Sequence, residues 1–188
     1  MKKYRNKYRT TTVRAQWWDY GWNGAYFVTL CTHNRQHFFG TIENGEMILS
    51  SPGSIAYNLW SLIPDHFEYA ELGDFVIMPD HMHGILIIDK PDHAEQATEQ
   101  DQNQLKTGGI TGAKNPMIND NISRIIRWYK GRCSFEIKKI LPHFAWQSRF
   151  HDHIIRNYNE YQRISDYIVN NPQKWEDAKS NSFKTKNS

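Results

Sequence analysis

His81 and His83 stand two residues apart in the run Phe75-Val76-Ile77-Met78-Pro79-Asp80-His81-Met82-His83-Gly84-Ile85-Leu86-Ile87-Ile88. The apolar, β-branched surroundings predict a strand, and a strand sends residues i and i+2 to the same face. Both imidazoles then share one surface, while Met82 points into the opposite layer. Neutral imidazole is a common ligand for divalent metals, and two on one strand supply half a site. The plainer alternative is a pair of hydrogen-bonded histidines on a half-buried strand. What else the chain brings to that face decides between them.

Tyr167 and Asn171 are four residues apart near the carboxy terminus, a spacing that stacks them on one face of a helix. If that face meets the strand of His81 and His83, the Asn171 amide oxygen becomes a third ligand to Mg²⁺ or Mn²⁺. Tyr167 then stands beside the cation as a nucleophile. Open positions on such an ion are what a phosphodiester oxygen needs for charge stabilisation. A phenoxide bound to phosphate can be expelled again, so the step is reversible and conserves bond energy for rejoining. The alternative for Tyr167 is a core aromatic, as expected for Tyr158 and Tyr161.

The elements that must position these groups are legible along the chain. Ala25–Thr32 reads as a strand. Asn44-Gly45 marks a tight hairpin within Phe38–Leu49. Ser50 or Ser51, with Pro52 behind it, caps a helix to about Phe67 with Ile55, Leu59, Leu62 and Ile63 inward. Strands follow over Glu71–Pro79 and His81–Asp89, around Pro79-Asp80. Asn119-Asp120 caps a long helix to about Leu141, with Ile122, Ile125, Ile126, Tyr129, Cys133, Ile137 and Ile140 on its apolar stripe and Gly131 in its middle. A last strand covers His151–Arg156, and Asn157 or Asn159 caps a final helix through Asn171, stopped by Pro172. Strand, helix, strand, strand, helix, strand is an α+β, ferredoxin-like order. It predicts an antiparallel sheet with helices on one face, an extra hairpin and a carboxy-terminal catalytic helix. Residues 90–118, without aromatics and punctuated by Gly108, Gly109 and Gly112, read as a flexible loop.

Composition narrows the function. The chain has 188 residues, enough for one domain, and 14% aromatics, far from a disordered composition. No run approaches a membrane span and the start lacks an apolar signal region, so no membrane partner and a cytoplasmic location are expected. Two distant cysteines predict free thiols rather than a disulfide framework. The net charge of +3 is uneven. Lys2, Lys3, Arg5, Lys7, Arg9 and Arg14 all precede the first acid, interleaved with Tyr4, Tyr8, Trp17 and Trp18. Cations for phosphates and rings for bases are what single-stranded nucleic acid requires, although a disordered basic start has the same look. Arg124, Arg127 and Lys130 lie mostly off the apolar stripe of the long helix and offer a phosphate-facing flank, or an ordinary solvated one. Trp60 and Trp128 are expected to pack. Trp17, Trp18 and Trp22 either stack on bases or pin the amino-terminal arm. His151 and His153 form a second His-x-His, but Arg149 and Arg156 make its setting electropositive and poorer for a cation. One of them is expected to contact DNA or to pack against the tyrosine helix.

Taken together, His81-Met82-His83 and Tyr167-Ile168-Val169-Asn170-Asn171-Pro172 resemble the signatures of the HUH single-tyrosine transposases, in particular the REP-associated tyrosine transposases. Trp146-Gln147-Ser148-Arg149-Phe150, His153 and Ile155-Arg156-Asn157 add to the likeness, which covers roughly residues 22–175. Residues 1–21 then form a basic aromatic arm and 176–188 a tail. The resemblance implies cleavage of single-stranded, hairpin (REP-like) DNA beside a short guide sequence, with Tyr167 forming a 5′-phosphotyrosine link and releasing a 3′-hydroxyl. His81, His83 and Asn171 become the metal ligands, and Arg5, Arg9, Arg14, Arg124, Arg127, Lys130, Arg149 and His153 the expected DNA contacts. Asp80 stands where such proteins often carry Asn, and a turn role is expected of it. A monomer or a homodimer fits. The competing readings are a domesticated binder of structured single strands that does not cleave them, and a replication-initiation or relaxase nuclease. The latter usually carries extra domains, for which this length leaves no room.

Overall fold

The computed structural model describes residues 23–90 and 121–186. Arg5, Arg9 and Arg14, the tryptophans Trp17, Trp18 and Trp22, and positions 91–118 of the expected loop lie outside the described residues. Strand β1 (Gly24–Cys31) leads through a 3-10 turn (His33–Arg35) to the hairpin β2 (Gly40–Glu43) and β3 (Glu46–Leu49). Helices α1 (Ser51–Ser61) and α2 (Ile63–His66) precede β4 (Ala70–Met78) and β5 (His81–Ile88). Then come α3 (Ile122–Lys138), β6 (His151–Ile155), α4 (Tyr158–Val169) and α5 (Asn171–Lys186). The main sheet has four strands in the order β4-β5-β1-β6, every pair antiparallel. The expected ferredoxin-like α+β architecture is therefore present.

Alternation along β5 divides the interior in two. Met82, Leu86 and Ile88 join Tyr26, Val28 and Leu30 of β1 in the main core, against Trp60 of α1 and Ile122, Ile126 and Tyr129 of α3. Ile85 belongs to a smaller cluster on the other face, with Phe27, Val76, Ile164 and Ile168. So α1 and α3 cover one face, while α4 lies on the other, where His81 and His83 also point. The pair sits on a central strand, flanked by β1 and β4, which is the least deformable place in the sheet.

Several boundaries move for local reasons. Ser50 caps α1 as expected, accepting from Gly53 N at 3.1 Å. The helix breaks at Leu62, because Pro64 has no N–H to offer the Trp60 carbonyl and its ring crowds that group. Leu62 is consequently exposed rather than part of the inward stripe. Asn44 and Gly45 take φ values of 53° and 75°, the left-handed pair of a tight hairpin. Pro79-Asp80 is a true two-residue turn, and the irregularity falls instead between Leu72 and Phe75. Asn121 caps α3 by accepting from Arg124 N at 3.1 Å, the expected caps Asn119 and Asp120 lying outside the described residues, and the helix stops at Lys138, leaving Ile140 exposed. Tyr158, expected in the core, is 73% exposed, while Tyr161 packs against the smaller cluster.

Gly131 does not interrupt α3, and a Cβ built on it meets nothing within 4 Å. Glycine inside a helix costs about 0.5–1 kcal/mol relative to alanine. Gly131→Ala is therefore expected to raise the unfolding free energy by about that amount, measurable as a higher midpoint in urea with an unchanged slope.

Pro172 acts differently from the expected stop. It ends the α4 ladder by crowding the Ile168 carbonyl, but it then occupies the first turn of a new helix, where its missing N–H costs nothing. Helix α5 continues through Lys186, into the segment expected as a tail. Asn171 accordingly heads α5 and does not share a helix with Tyr167.

Candidate active site

The two histidines are 5% and 6% exposed, with ring centroids 4.6 Å apart. Each ring has its Nδ1 engaged and its Nε2 directed inward. His81 Nδ1 meets Asp80 Oδ1 at 2.5 Å, and His83 Nδ1 meets Thr29 Oγ1 at 2.8 Å across the β1–β5 register. The two Nε2 atoms converge to 3.1 Å. Tyr167 Oη completes the cluster, 3.3 Å from His83 Nε2. Phe27 holds both neighbours, stacked on His83 at 5.2 Å and edge-on to Tyr167 at 6.1 Å. The tyrosine helix therefore meets the histidine strand, the condition on which the nucleophile reading of Tyr167 depends.

The cluster is closed from the side by α5. Trp175 packs 5.7 Å from the His81 ring and 5.8 Å from His37. Asn171, 7% exposed, lies one turn earlier on the same flank of α5. Lys174 places its ammonium 5.4 Å from the centre of the Tyr167 ring. Outward from Tyr167 runs a groove of about 660 Å³ lined along α4 by Asn159, Gln162, Arg163, Asp166 and Asn170, and ending at Lys174. Tyr167 itself is 39% exposed, so its hydroxyl is reachable from this groove.

Burial, joined by the positive charge of His81, Arg35 and His151, pushes the His83 imidazolium down to about 3, against the opposing pull of Asp80. His83 is thus a neutral ring with a lone pair to offer. Burial would raise the Asp80 carboxyl, but the hydrogen bond to His81 and the charges of His81, Arg35 and His37 together hold it below its usual range. The donor set fits a divalent cation. Two nitrogens each about 2.1 Å from one ion, at right angles, stand about 3 Å apart, which matches the observed separation. Among the described residues no group of three or more His, Cys, Asp or Glu could hold a metal. A third protein ligand would have to be an oxygen of another type, and Asn171, a buried amide one turn before Trp175 on α5, is the residue expected for it.

The depressed His83 value makes the stability of the fold depend on pH. Between its ordinary value of 6.5 and about 3, the unfolded chain binds a proton at this position that the folded chain does not. Stability is full above 6.5 and is lost as pH falls through that window, by up to about 1.4 kcal/mol per unit. Replacing His83 with Gln is expected to flatten that part of the stability–pH curve, measured by denaturant titration in EDTA.

Other expected residues fall elsewhere. Helix α3 lies across the sheet, so Arg124, Arg127 and Lys130 are on the layer away from Tyr167. Arg124 lies over the Phe67 ring at 5.9 Å, and Lys130 donates to Gln147 O at 2.6 Å. His153 does not join the metal-type pair. It meets Glu160 of α4 at 2.8 Å. Arg149 precedes β6 by two residues. Trp60 is fully buried and Trp128 packs on the core, as expected. Thr29, Arg35, Lys174 and Trp175 were not picked out from sequence. Among them only Thr29 had a signal, its inward parity on β1, and that needed the β1–β5 register to be read.

The chain was compared with known proteins, and no family model matches it. A solved REP-associated tyrosine transposase, bound to a REP hairpin, superposes with a TM-score of 0.55 at 19% identity, covering 87% of this chain and 74% of that one. A candidate transposase of Deinococcus radiodurans aligns at a TM-score of 0.42 and 15% identity, over 85% of this chain and 97% of its own. The chain has the HUH tyrosine transposase fold. It belongs to one family with an uncharacterised protein of Haemophilus influenzae, which is 32% identical over 166 residues, 88% of this chain and 89% of that protein.

Proposed function

We propose that the protein is a metal-dependent endonuclease and strand transferase acting on single-stranded, hairpin DNA through a 5′-phosphotyrosine intermediate. The observation that carries this is the placement of Tyr167 Oη 3.3 Å from His83 Nε2, where the two imidazole Nε2 atoms converge. His81, His83 and the Asn171 amide would hold Mg²⁺ or Mn²⁺. When bound, the cation supplies charge stabilisation to the non-bridging phosphate oxygens.

The chain's own groups do the rest. The Tyr167 hydroxyl gives up its proton to solvent, its oxygen attacks the scissile phosphorus and the P–O3′ bond breaks, the electron pair leaving on O3′, which takes up a proton from solvent to become a 3′-hydroxyl. The reverse attack by a 3′-hydroxyl restores the phosphodiester and frees the phenol, so no external energy source is needed. Phe27, edge-on, and the Lys174 ammonium over its face hold the phenol ring in place. Lys174 and Arg163 line the groove that would admit a polyanion, together with the amides of Asn159 and Gln162, which can hydrogen-bond to bases. The REP hairpin bound to the solved REP-associated tyrosine transposase supports choosing folded single strands as the substrate class.

Incubating a 3′-labelled hairpin library with the protein and Mn²⁺, then denaturing, is expected to leave a labelled DNA–protein adduct and a free 3′-hydroxyl end on the other fragment. Hairpin binding without an adduct under any divalent cation would select the non-cleaving binder instead.

A further inference from the structure

Among the described residues, Asp80 is the only buried carboxylate, 3% exposed. A buried charge persists when it is paired and hydrogen-bonded. Its two oxygens are divided between two different partners: Oδ1 meets His81 Nδ1 at 2.5 Å, and Oδ2 meets Arg35 Nε at 2.9 Å. The turn is anchored from outside itself, because Thr32 N donates to Asp80 O at 2.9 Å and Phe39 N to Pro79 O at 3.0 Å.

Arg35 reaches Asp80 by an unusual route. Asn34 and Arg35 take φ values of 51° and 56° in succession, a left-handed conformation that residues with a side chain rarely adopt. Strain of this kind lasts where the surroundings over-determine it, and it collects at functional sites. Here it returns the Arg35 guanidinium to the sheet end, where Nη1 also donates to Cys31 Sγ at 2.9 Å. An ordinary ion pair tying down a turn would not need one carboxylate oxygen reserved for an imidazole.

We propose that Arg35 and Asp80 form a positioning relay for His81: the carboxylate holds the ring with its Nδ1 proton on the Asp80 side and its Nε2 lone pair turned to the cation, and Arg35 fixes the carboxylate. A carboxylate behind a ligating histidine sets both tautomer and orientation. His83 has no such backing. Its Nδ1 faces the Thr29 hydroxyl, which can donate or accept. The 3.1 Å contact between the two Nε2 atoms needs one proton, and with His81 Nε2 bare that proton belongs to His83. The pair is therefore unequal, with His81 preset and His83 the ring that must adjust on loading.

The metal part of this inference rests on the proposed function, while the tautomer part does not. In metal-free protein with ¹⁵N-labelled histidine, NMR is expected to show His81 protonated at Nδ1 and bare at Nε2. Asp80→Ala should lose that signature and weaken Mn²⁺ binding, measured by calorimetry, by about 10–100-fold. Asp80→Asn, which keeps an acceptor oxygen, should recover part of both. Should Asp80→Ala fail to fold, Arg35→Ala, on a half-exposed side chain, carries the same test with a several-fold loss. An unchanged tautomer, or Mn²⁺ affinity within about twofold of wild type in these variants, overturns the relay. A wild-type protein that binds no Mn²⁺ removes the metal reading and leaves the tautomer to decide the relay.

Discussion

Tyr167→Phe is expected to remove the covalent DNA adduct and to lower strand cleavage by about 10³-fold or more, while hairpin affinity stays within about twofold of wild type. The size follows from the chemistry: the substitution deletes the attacking oxygen, and removing a nucleophile outright is among the costliest single changes an enzyme can suffer. The selectivity follows from the packing. The Phe ring keeps the edge contact with Phe27 at 6.1 Å and the Lys174 ammonium at 5.4 Å, so the groove keeps its shape and charge. The lost hydrogen bond to His83 is long, at 3.3 Å, on a side chain 39% exposed. It is worth no more than about 1 kcal/mol of stability. A gel-shift and a denaturing adduct assay on the same preparation separate the two effects. Adduct at wild-type level in this variant would move the nucleophile to another residue and end the proposed mechanism.

The site divides into a part that strand and helix periodicity could reveal and a part that only register and turns could. Alternation correctly sent His81 and His83 to one face and Met82 to the other, because a central strand has no freedom to do otherwise. The stripe of α4 correctly brought Tyr167 to that face, since Ile164 and Ile168 must be buried and Tyr167 is next to them. Helix periodicity misjudged Asn171. Pro172 breaks the ladder, and the residue stands buried at the head of α5 instead of on the tyrosine helix. Asp80 was expected to serve a turn, and it does sit in one. Its carboxylate nevertheless returns to His81, because a turn residue is not bound by strand alternation. Arg35 and Trp175 come from segments remote in sequence whose approach depends on a left-handed turn and on a helix that starts at a proline. Neither can be read from local patterning.

Gly84→Val is expected to lower the unfolding free energy by about 2 kcal/mol or more, and to impair cleavage without touching a reacting group. Gly84 follows His83 on β5, pairs with Val28 and Phe75, and faces the main core. A Cβ built there would lie 2.7 Å from Trp60 Cζ2, 3.1 Å from Trp60 Cε2 and 3.2 Å from Phe75 Cβ. Trp60 has no room to retreat. It is fully buried, edge-on to Tyr129 at 5.1 Å, and Tyr129 is itself fastened by its hydroxyl to Ala56 O at 3.0 Å. Overpacking of this kind costs about 1–3 kcal/mol, occasionally more, and valine adds two methyl groups beyond the clashing Cβ. Two effects oppose it: the stiffer unfolded chain and the better strand propensity of valine, each worth at most about 1 kcal/mol. They reduce the loss without reversing it, leaving a melting temperature lower by about 4–8 °C for a chain of this size. The strand must bow away from Trp60 to admit the side chain, and His83, one residue back, moves with it. Adduct formation should therefore fall even at temperatures where the variant is fully folded. Trp60→Phe in the same chain frees the space the valine needs, so the double variant should be more stable than the two single losses add up to. Strict additivity in that cycle would show that Gly84 is tolerated for a reason other than its contact with Trp60.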